Sequence, residues 1–274
     1  MGKEFVKAGL GYSPIRMVAK YARYWLGASN GKGHGIHSPF VFDFVQKILN
    51  DHHPYKEYVQ VENLRKELLN TQTHIASEDM GAGSGRAPGP GTVAGITNSA
   101  AKSRKLAQLL FRVARYYQPS SIIELGTSMG ISTCYLSLAN PQAVIITGEG
   151  NRHIAAIARK NFNRLGISAI HLAEGNFNET LEQMIASAPS PGLVFIDGNH
   201  REEPTIKYFR QLLPCMPSSS VMIFDDIHWS AEMESAWAAI KDHPAVMLTI
   251  DLFFMGFIFF RPEFKVKQHF IIRY

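Results

Sequence analysis

Glu124-Leu125-Gly126-Thr127-Ser128-Met129-Gly130-Ile131-Ser132 closes a short apolar run at residues 122–125, and its reading decides the fold. Two glycines four positions apart let the backbone turn tightly and come close to a ligand. The amides at the start of the next helix, which begins near Ile131, offer hydrogen-bond donors there. Such a turn belongs at the carboxyl end of a first strand, where open α/β sheets bind their ligands. A dinucleotide fingerprint would read G-x-G-x-x-G, whereas this turn has only G-x-x-x-G, which argues against a nicotinamide enzyme.

Working outward from that turn, short apolar runs alternate with helical patterns. The strands are expected at residues 122–125, 143–147, 169–173, 193–196 and 221–224, with helices beginning near Ile131, Arg152, Asn178 and Glu203. Runs buried on both faces and separated by helices indicate a parallel sheet covered on both sides. A helix at about 99–117 leads into the first strand, and one at about 231–241 follows the fifth. Residues 246–253 and 256–261 then face each other as a hairpin, so at least one antiparallel strand closes the sheet. The fold class is α/β: a Rossmann-like, seven-stranded mixed sheet preceded by an N-terminal helical segment.

That segment carries helical patterns at about 14–26, 38–49 and 55–69, the first two joined by a Gly-rich link at 27–35. In the second, Phe40, Phe44, Val45 and Ile48 share one face, with Ser38-Pro39 as cap and first turn. Residues 71–98 lose periodicity and fill with Gly, Pro, Ser and Thr, which reads as a long loop or lid. The division is therefore 1–98, a cap on the substrate side, and 99–274, the ligand-binding domain.

Composition bounds the function classes. Hydrophobic residues make up 46% of the 274 and charged residues 19%, enough apolar content for a substantial core. A net charge of +5 is too mild to imply a polyanionic partner. Cys134 and Cys215 both fall in or at the end of predicted helices, which speaks for a reducing compartment, by default the cytoplasm. The basic N-terminal stretch lacks the apolar core and cleavage site of a secretory signal. The longest apolar run, 252–260, is well short of the roughly twenty residues a membrane helix needs, so no span is expected.

Two further strand ends carry chemistry. The second strand leads into Gly148-Glu149-Gly150, and Glu149 stands twenty-five residues after Glu124. A carboxylate there can accept hydrogen bonds from both hydroxyls of a ribose. The fourth strand runs into Asp197-Gly198-Asn199-His200, and the fifth into Asp225-Asp226-Ile227-His228-Trp229.

With these residues the chain resembles the class I S-adenosylmethionine-dependent methyltransferases, specifically their catechol and caffeoyl-CoA O-methyltransferase-like branch, over about residues 99–262. The resemblance implies that the turn cradles the methionine part of S-adenosylmethionine through Glu124, Gly126, Thr127, Ser128, Gly130 and Ser132. It makes Glu149, with Gly150 behind it, the ribose-binding acid, sets Asn176 and Phe177 against the adenine, and brings Asp197 to the cofactor as well. In the resembled branch Mg²⁺ is held by Asp, Asp and Asn, which correspond to Asp197, Asp225 and Asp226 here; this chain departs at the third position. Three carboxylates at adjacent strand ends repel one another, a repulsion that Mg²⁺ or another divalent cation with oxygen ligands would resolve.

A sulfonium methyl is already activated, so the enzyme must mainly align the acceptor and remove its proton. His200 stands three positions after Asp197, where the resembled catechol enzymes place a lysine base. It can serve as the general base, or cap a helix or touch substrate instead. His228 and Trp229 line the acceptor pocket or, in the case of Trp229, fill core. The glycine-rich Asp79-Met80-Gly81-Ala82-Gly83-Ser84-Gly85 lacks a preceding strand and runs into prolines, so it is read as loop. His34, His37, His52 and His53 lack a zinc-ligand pattern. Gly33-His34-Gly35-Ile36-His37-Ser38-Pro39-Phe40, the segment 225–230 and the Phe-rich hairpin together resemble a group of predicted bacterial methyltransferases with an unassigned acceptor.

The expected activity is methyl transfer to oxygen on a small-molecule acceptor, possible homodimerisation resting on the hairpin at 253–260 if it is exposed. The basic and aromatic residues of the first helix are explained by a solvated face and a packing face, without nucleic acid. A metal-free enzyme acting on nitrogen or a macromolecule, and a non-catalytic binder of the cofactor, are the other readings.

Overall fold

The computed structural model describes residues 11–75 and 91–274. In chain order these form α1 (Pro14–Gly27), α2 (Pro39–Phe44) running on as a π-helical turn (Val45–Leu49), α3 (Lys56–Asn70), α4 (Val93–Ala100) and α5 (Arg104–Tyr117). The alternating part follows: β1 (Ser121–Leu125), α6 (Ile131–Ala139), β2 (Val144–Glu149), α7 (Arg152–Arg164), β3 (Ile170–Glu174), α8 (Phe177–Ser187), β4 (Leu193–Ile196), α9 (Glu202–Leu212) and β5 (Val221–Asp225). The chain ends with α10 (Ala231–Asp242), β6 (Leu248–Asp251), β7 (Met255–Phe259) and β8 (Gln268–Ile271).

The strands form a sheet in the order β3-β2-β1-β4-β5-β7-β6-β8. From β3 to β5 the pairing is parallel, and β7 runs antiparallel between β5 and β6. The mixed α/β sheet is thus the one expected, with an eighth strand in place of seven. The addition is β8, whose residues alternate between half-buried and exposed on the outer edge of β6, a pattern too weak to stand out as a strand.

Strand periodicity divides the core between two faces. Ile122, Phe195 and Ile223 join one apolar cluster; Ile123, Val194 and Met222 join the other. Helix α2 with its π-helical turn, α3, α4 and α5 pack on the first face. Ser38 accepts a hydrogen bond from the Val41 amide and Pro39 opens α2, as the sequence suggested. Phe44 is buried against Phe257 and Phe259, with ring centroids 5.3 and 5.9 Å away. Arg112 of α5 donates from Nε to the Ile48 carbonyl at 2.7 Å and from Nη2 to the Tyr274 hydroxyl at 2.6 Å, tying helices to the final strand region. In the hairpin Phe253, Phe257 and Phe259 are buried and Phe254 is half-exposed, so the aromatic turn is chiefly core.

Two sequence expectations are corrected here. The helix expected over 99–117 is broken at residues 101–103, because the Ser103 side chain accepts from the Leu106 amide and starts α5 afresh. The loop expected over 71–98 contains most of α4, capped by Thr92, with His74 and Thr92 forming an isolated bridge before it. The glycine-rich motif of residues 79–85 lies outside the described residues.

Phe44→Ala leaves a cavity between the N-terminal layer and β7, and should cost about 3–5 kcal/mol. Chemical denaturation followed by far-UV dichroism would check it. A single cooperative transition shifted to lower denaturant is expected, and an unchanged midpoint would mean that the layer contributes no packing.

Candidate active site

The parallel strands end along one edge, and their carboxyl ends bring the turn, the two acids and the acidic pair together. Gly126 follows β1 with φ +105°, and its amide and that of Thr127 both donate to the Gly148 carbonyl at the end of β2, at 3.1 and 3.0 Å. A Cβ on Gly126 would stand 2.3 Å from the Asp197 carbonyl oxygen, so β1 and β4 can approach this closely only through glycine. Gly130, at φ +80°, caps α6, and a Cβ there would strike the Phe162 ring at 2.5 Å. Ser128 also takes positive φ, as do Asn199, His200 and Asp226 at the ends of β4 and β5. Strained backbone of this kind collects where function over-determines the conformation.

Glu124 is fully buried and accepts hydrogen bonds from Thr133 at 2.5 Å and Thr147 at 2.7 Å. Burial pushes its pKa up to about 7, and its Oε1 has no partner among the described residues. Ser132, one residue before Thr133, is buried at the start of α6. Glu149 accepts from the Ser128 amide at 2.8 Å and the Asn151 amide at 2.9 Å; burial raises its pKa while these amides pull it down. Thr127 and Thr147 share a 2.6 Å hydroxyl contact beneath the turn. Gly150 continues β2 into the Asn151 cap of α7. Asn176 caps α8, and the Phe177 ring lies so close over Gly148 and Gly198 that a Cβ on either would meet it at 2.7 Å. The residues expected around the cofactor therefore lie along one continuous edge from β3 to β4. The glycines are required by packing against Asp197, Phe162 and Phe177, while the orphaned buried oxygen of Glu124 has hydrogen-bonding capacity to offer a polar ligand.

The acidic cluster is arranged differently from the expectation. The trio whose ligand atoms converge is Asp197, His200 and Asp225, all within 4.8 Å of one another, with His200 Nε2 3.5 Å from Asp197 Oδ1. Asp226, expected as the third ligand, is outside this trio; its amide donates to the Phe254 carbonyl at 2.7 Å. Between Asp197 and Asp225 stands Lys102, from the link between α4 and α5. Its ammonium is 3.0 Å from Asp197 Oδ1 and donates directly to Asp225 Oδ2. Burial works against its charge, but Asp197, Asp225 and Asp226 outweigh that and hold the lysine protonated. For Asp197, burial is outweighed by Lys102 and His200 and the pKa falls. Asp225 goes the other way, raised by burial and then by Asp226. Lys102 was not singled out from sequence, because the continuous helix expected over 99–117 hid the break that turns it inward. The Ser103 cap was the available signal.

Beside the acidic cluster, Trp229 is half-buried, its ring centroid 5.9 Å from that of His200, and Gly11 packs against its indole. His228 is clamped between Glu234 at 3.0 Å and Asp251 at 2.8 Å, so it is a structural tie. Glu234 also takes Lys20 and Tyr12, which docks α1. The histidines at 34, 37, 52 and 53 join no convergent ligand group among the described residues.

Comparison with known proteins follows this geometry. Residues 123–227 match the family model described as a methyltransferase domain. A catechol O-methyltransferase of Niastella koreensis is 31% identical over 126 residues, 45% of this chain and 55% of that protein. One from Mycobacterium tuberculosis is 29% identical over 129 residues, 46% and 57% respectively. The chain thus spans little more than half the length of these curated relatives. Among solved structures, the SAH-bound methyltransferase of Podospora anserina aligns with a TM-score of 0.57 at 14% identity, over 93% of this chain and all of that one. An O-methyltransferase from Bacillus cereus in complex with SAH aligns with a TM-score of 0.53 at 18% identity, over 78% and 96%. The fold is the one these solved methyltransferases share, and residues 123–227 are similar to a methyltransferase domain. Within it, the sequence similarity runs to catechol O-methyltransferases, as the resemblance implied. Among the described residues no helix is long and apolar enough to cross a membrane.

Two outcomes are expected. Gly126→Ala forces strand β1 away from Asp197 and should destabilise the protein by about 2–4 kcal/mol, more than an ordinary surface change; thermal denaturation reads it. Burial lowers the pKa of His228, but Asp251 and Glu234 raise it further, to a net value above the ordinary one. Its stabilisation is therefore complete below about pH 6.5 and is lost as pH rises through the raised value. Stability curves for wild type and His228→Gln should differ at pH 6 and draw together at alkaline pH; a constant gap would remove the linkage.

Proposed function

We propose that this chain transfers the methyl group of S-adenosylmethionine to an oxygen atom of a small-molecule acceptor. The observation that carries the reading is the glycine turn of residues 126–130, whose Ser128 amide donates to Glu149 and whose Gly126 packs against the Asp197 carbonyl, directly after Glu124 with its unpartnered Oε1. The similarity to proteins named catechol O-methyltransferase supports the choice of oxygen and of a small acceptor.

In this reading Gly126, Thr127, Ser128, Gly130 and Ser132 surround the methionine portion, with Glu124 beneath. Glu149 and Gly150 take the ribose, and Asn176 and Phe177 border the adenine. When bound, S-adenosylmethionine supplies an electrophilic methyl group on a sulfonium. This chain's residues then have to orient the acceptor, exclude water and receive one proton. His200 receives it at an imidazole nitrogen, oriented by Asp197, and Trp229 walls the acceptor pocket beside it.

Titration calorimetry with S-adenosylhomocysteine tests the cofactor half. Wild type should bind with a dissociation constant on the order of micromolar, and Glu149→Ala should weaken it by about tenfold or more, as expected for lost charge-assisted hydrogen bonds. His200→Ala should keep that affinity and lose about 10²–10⁴ in turnover on a catechol-type acceptor panel. Absence of binding by the wild type would contradict the assignment. Retained turnover in His200→Ala would move the proton to another group.

A further inference from the structure

We propose that the cation of the acidic cluster is the ammonium of Lys102, and that the site operates without a divalent metal. The inference rests on the methyltransferase reading above and concerns how that same site manages its charge.

Place is the first argument. Lys102 Nζ lies between Asp197 and Asp225, in contact with one carboxylate oxygen of each. A shared Mg²⁺ would have to sit about 2.0–2.1 Å from those oxygens. Two cations cannot occupy that gap, so metal entry requires the lysine to leave. The donor set is the second argument. The third group converging on this point is the His200 imidazole, whereas Asp226 stays outside. Mg²⁺ seeks an octahedron of oxygens, and a nitrogen in place of the third carboxylate is a poor match.

The third argument is that the lysine is built in. Its link is closed on one side by the Ser103 cap of α5. On the other, Arg65 of α3 donates from Nη1 to the Lys102 carbonyl at 2.8 Å, while its Nε is held by Glu62 at 3.0 Å. The side chain is only 12% exposed, which a freely roaming surface lysine would not be. Lys102 therefore acts as a positioning residue: it neutralises part of the cluster's charge and holds Asp197 against His200. Negative charge that develops on an acceptor oxygen as its proton leaves would meet a fixed positive charge nearby. Asp225 Oδ1, buried and without a partner among the described residues, is the atom that a metal would claim if the proposal is wrong.

The test is a titration with Mn²⁺ alone, followed by the electron paramagnetic resonance signal of free ion, with and without S-adenosylhomocysteine. Wild type should show no stoichiometric site up to about 1 mM, weaker than ordinary dedicated sites. Lys102→Met should raise Mn²⁺ affinity at least tenfold over wild type without reaching the micromolar range, and the double variant with Asp225→Asn should lose that gain. One Mn²⁺ per wild-type chain at micromolar concentration, abolished by Asp225→Asn, would overturn the proposal. Should Lys102→Met fail to fold, the wild-type titration with Asp225→Asn as its control still decides. S-adenosylhomocysteine affinity measured on the same samples reports separately on the methyltransferase reading.

Discussion

Holding the carboxylates of Asp197 and the buried Asp225 close together at the ends of two neighbouring strands is the constraint on which the rest of this structure depends. Isolated charges of that kind are not tolerated away from water unless they are paired. Here the pairing comes from a lysine distant in sequence, and meeting it dictates much of the architecture. Helix α5 must start at Arg104 and not earlier, so that Lys102 is released from helical geometry. Helix α3 must lie where Arg65 can grip the lysine's carbonyl. Helix α3 is thus tied to the carboxyl edge of the strands through Lys102 as well as to the apolar face of the sheet.

A second close contact joins the two halves of the site. The Asp197 carbonyl rests against the Cα of Gly126, so the strand that carries the acidic cluster and the turn assigned to the cofactor share one packing surface. Displacing either moves the other. Glu124 keeps an orphaned oxygen with unspent hydrogen-bonding capacity, and the carboxylate of Glu149, which accepts from the Ser128 and Asn151 amides, orders the turn. Preorganisation of this sort reduces what binding must supply.

Much of the fold was legible because it is written locally. Fully apolar strands such as Leu193–Ile196 and helix starts such as Ile131, Arg152 and Ala231 follow from periodicity and capping alone. Strand β8 escaped because an edge strand buries only alternate residues. The break before Arg104 escaped because its flanks are both good helix. At the site, the glycine turn and the acids could be found from spacing after strands. Lys102 could not, since its partners lie 95 and 123 positions further on and no local pattern records such a pairing. Asp226 shows the converse: its position in the sequence beside Asp225 suggested a shared ligand role, yet its carboxylate is not among the converging ligand atoms and reaches the cluster through its charge.

The most direct test of the account is a diffraction structure of the protein crystallised with S-adenosylhomocysteine and Mg²⁺. The account predicts the ribose at Glu149, the amino-acid end over the Gly126–Gly130 turn, and Lys102 still between Asp197 and Asp225. A nucleoside bound elsewhere, or a metal ion between those two carboxylates with the lysine turned away, would contradict it.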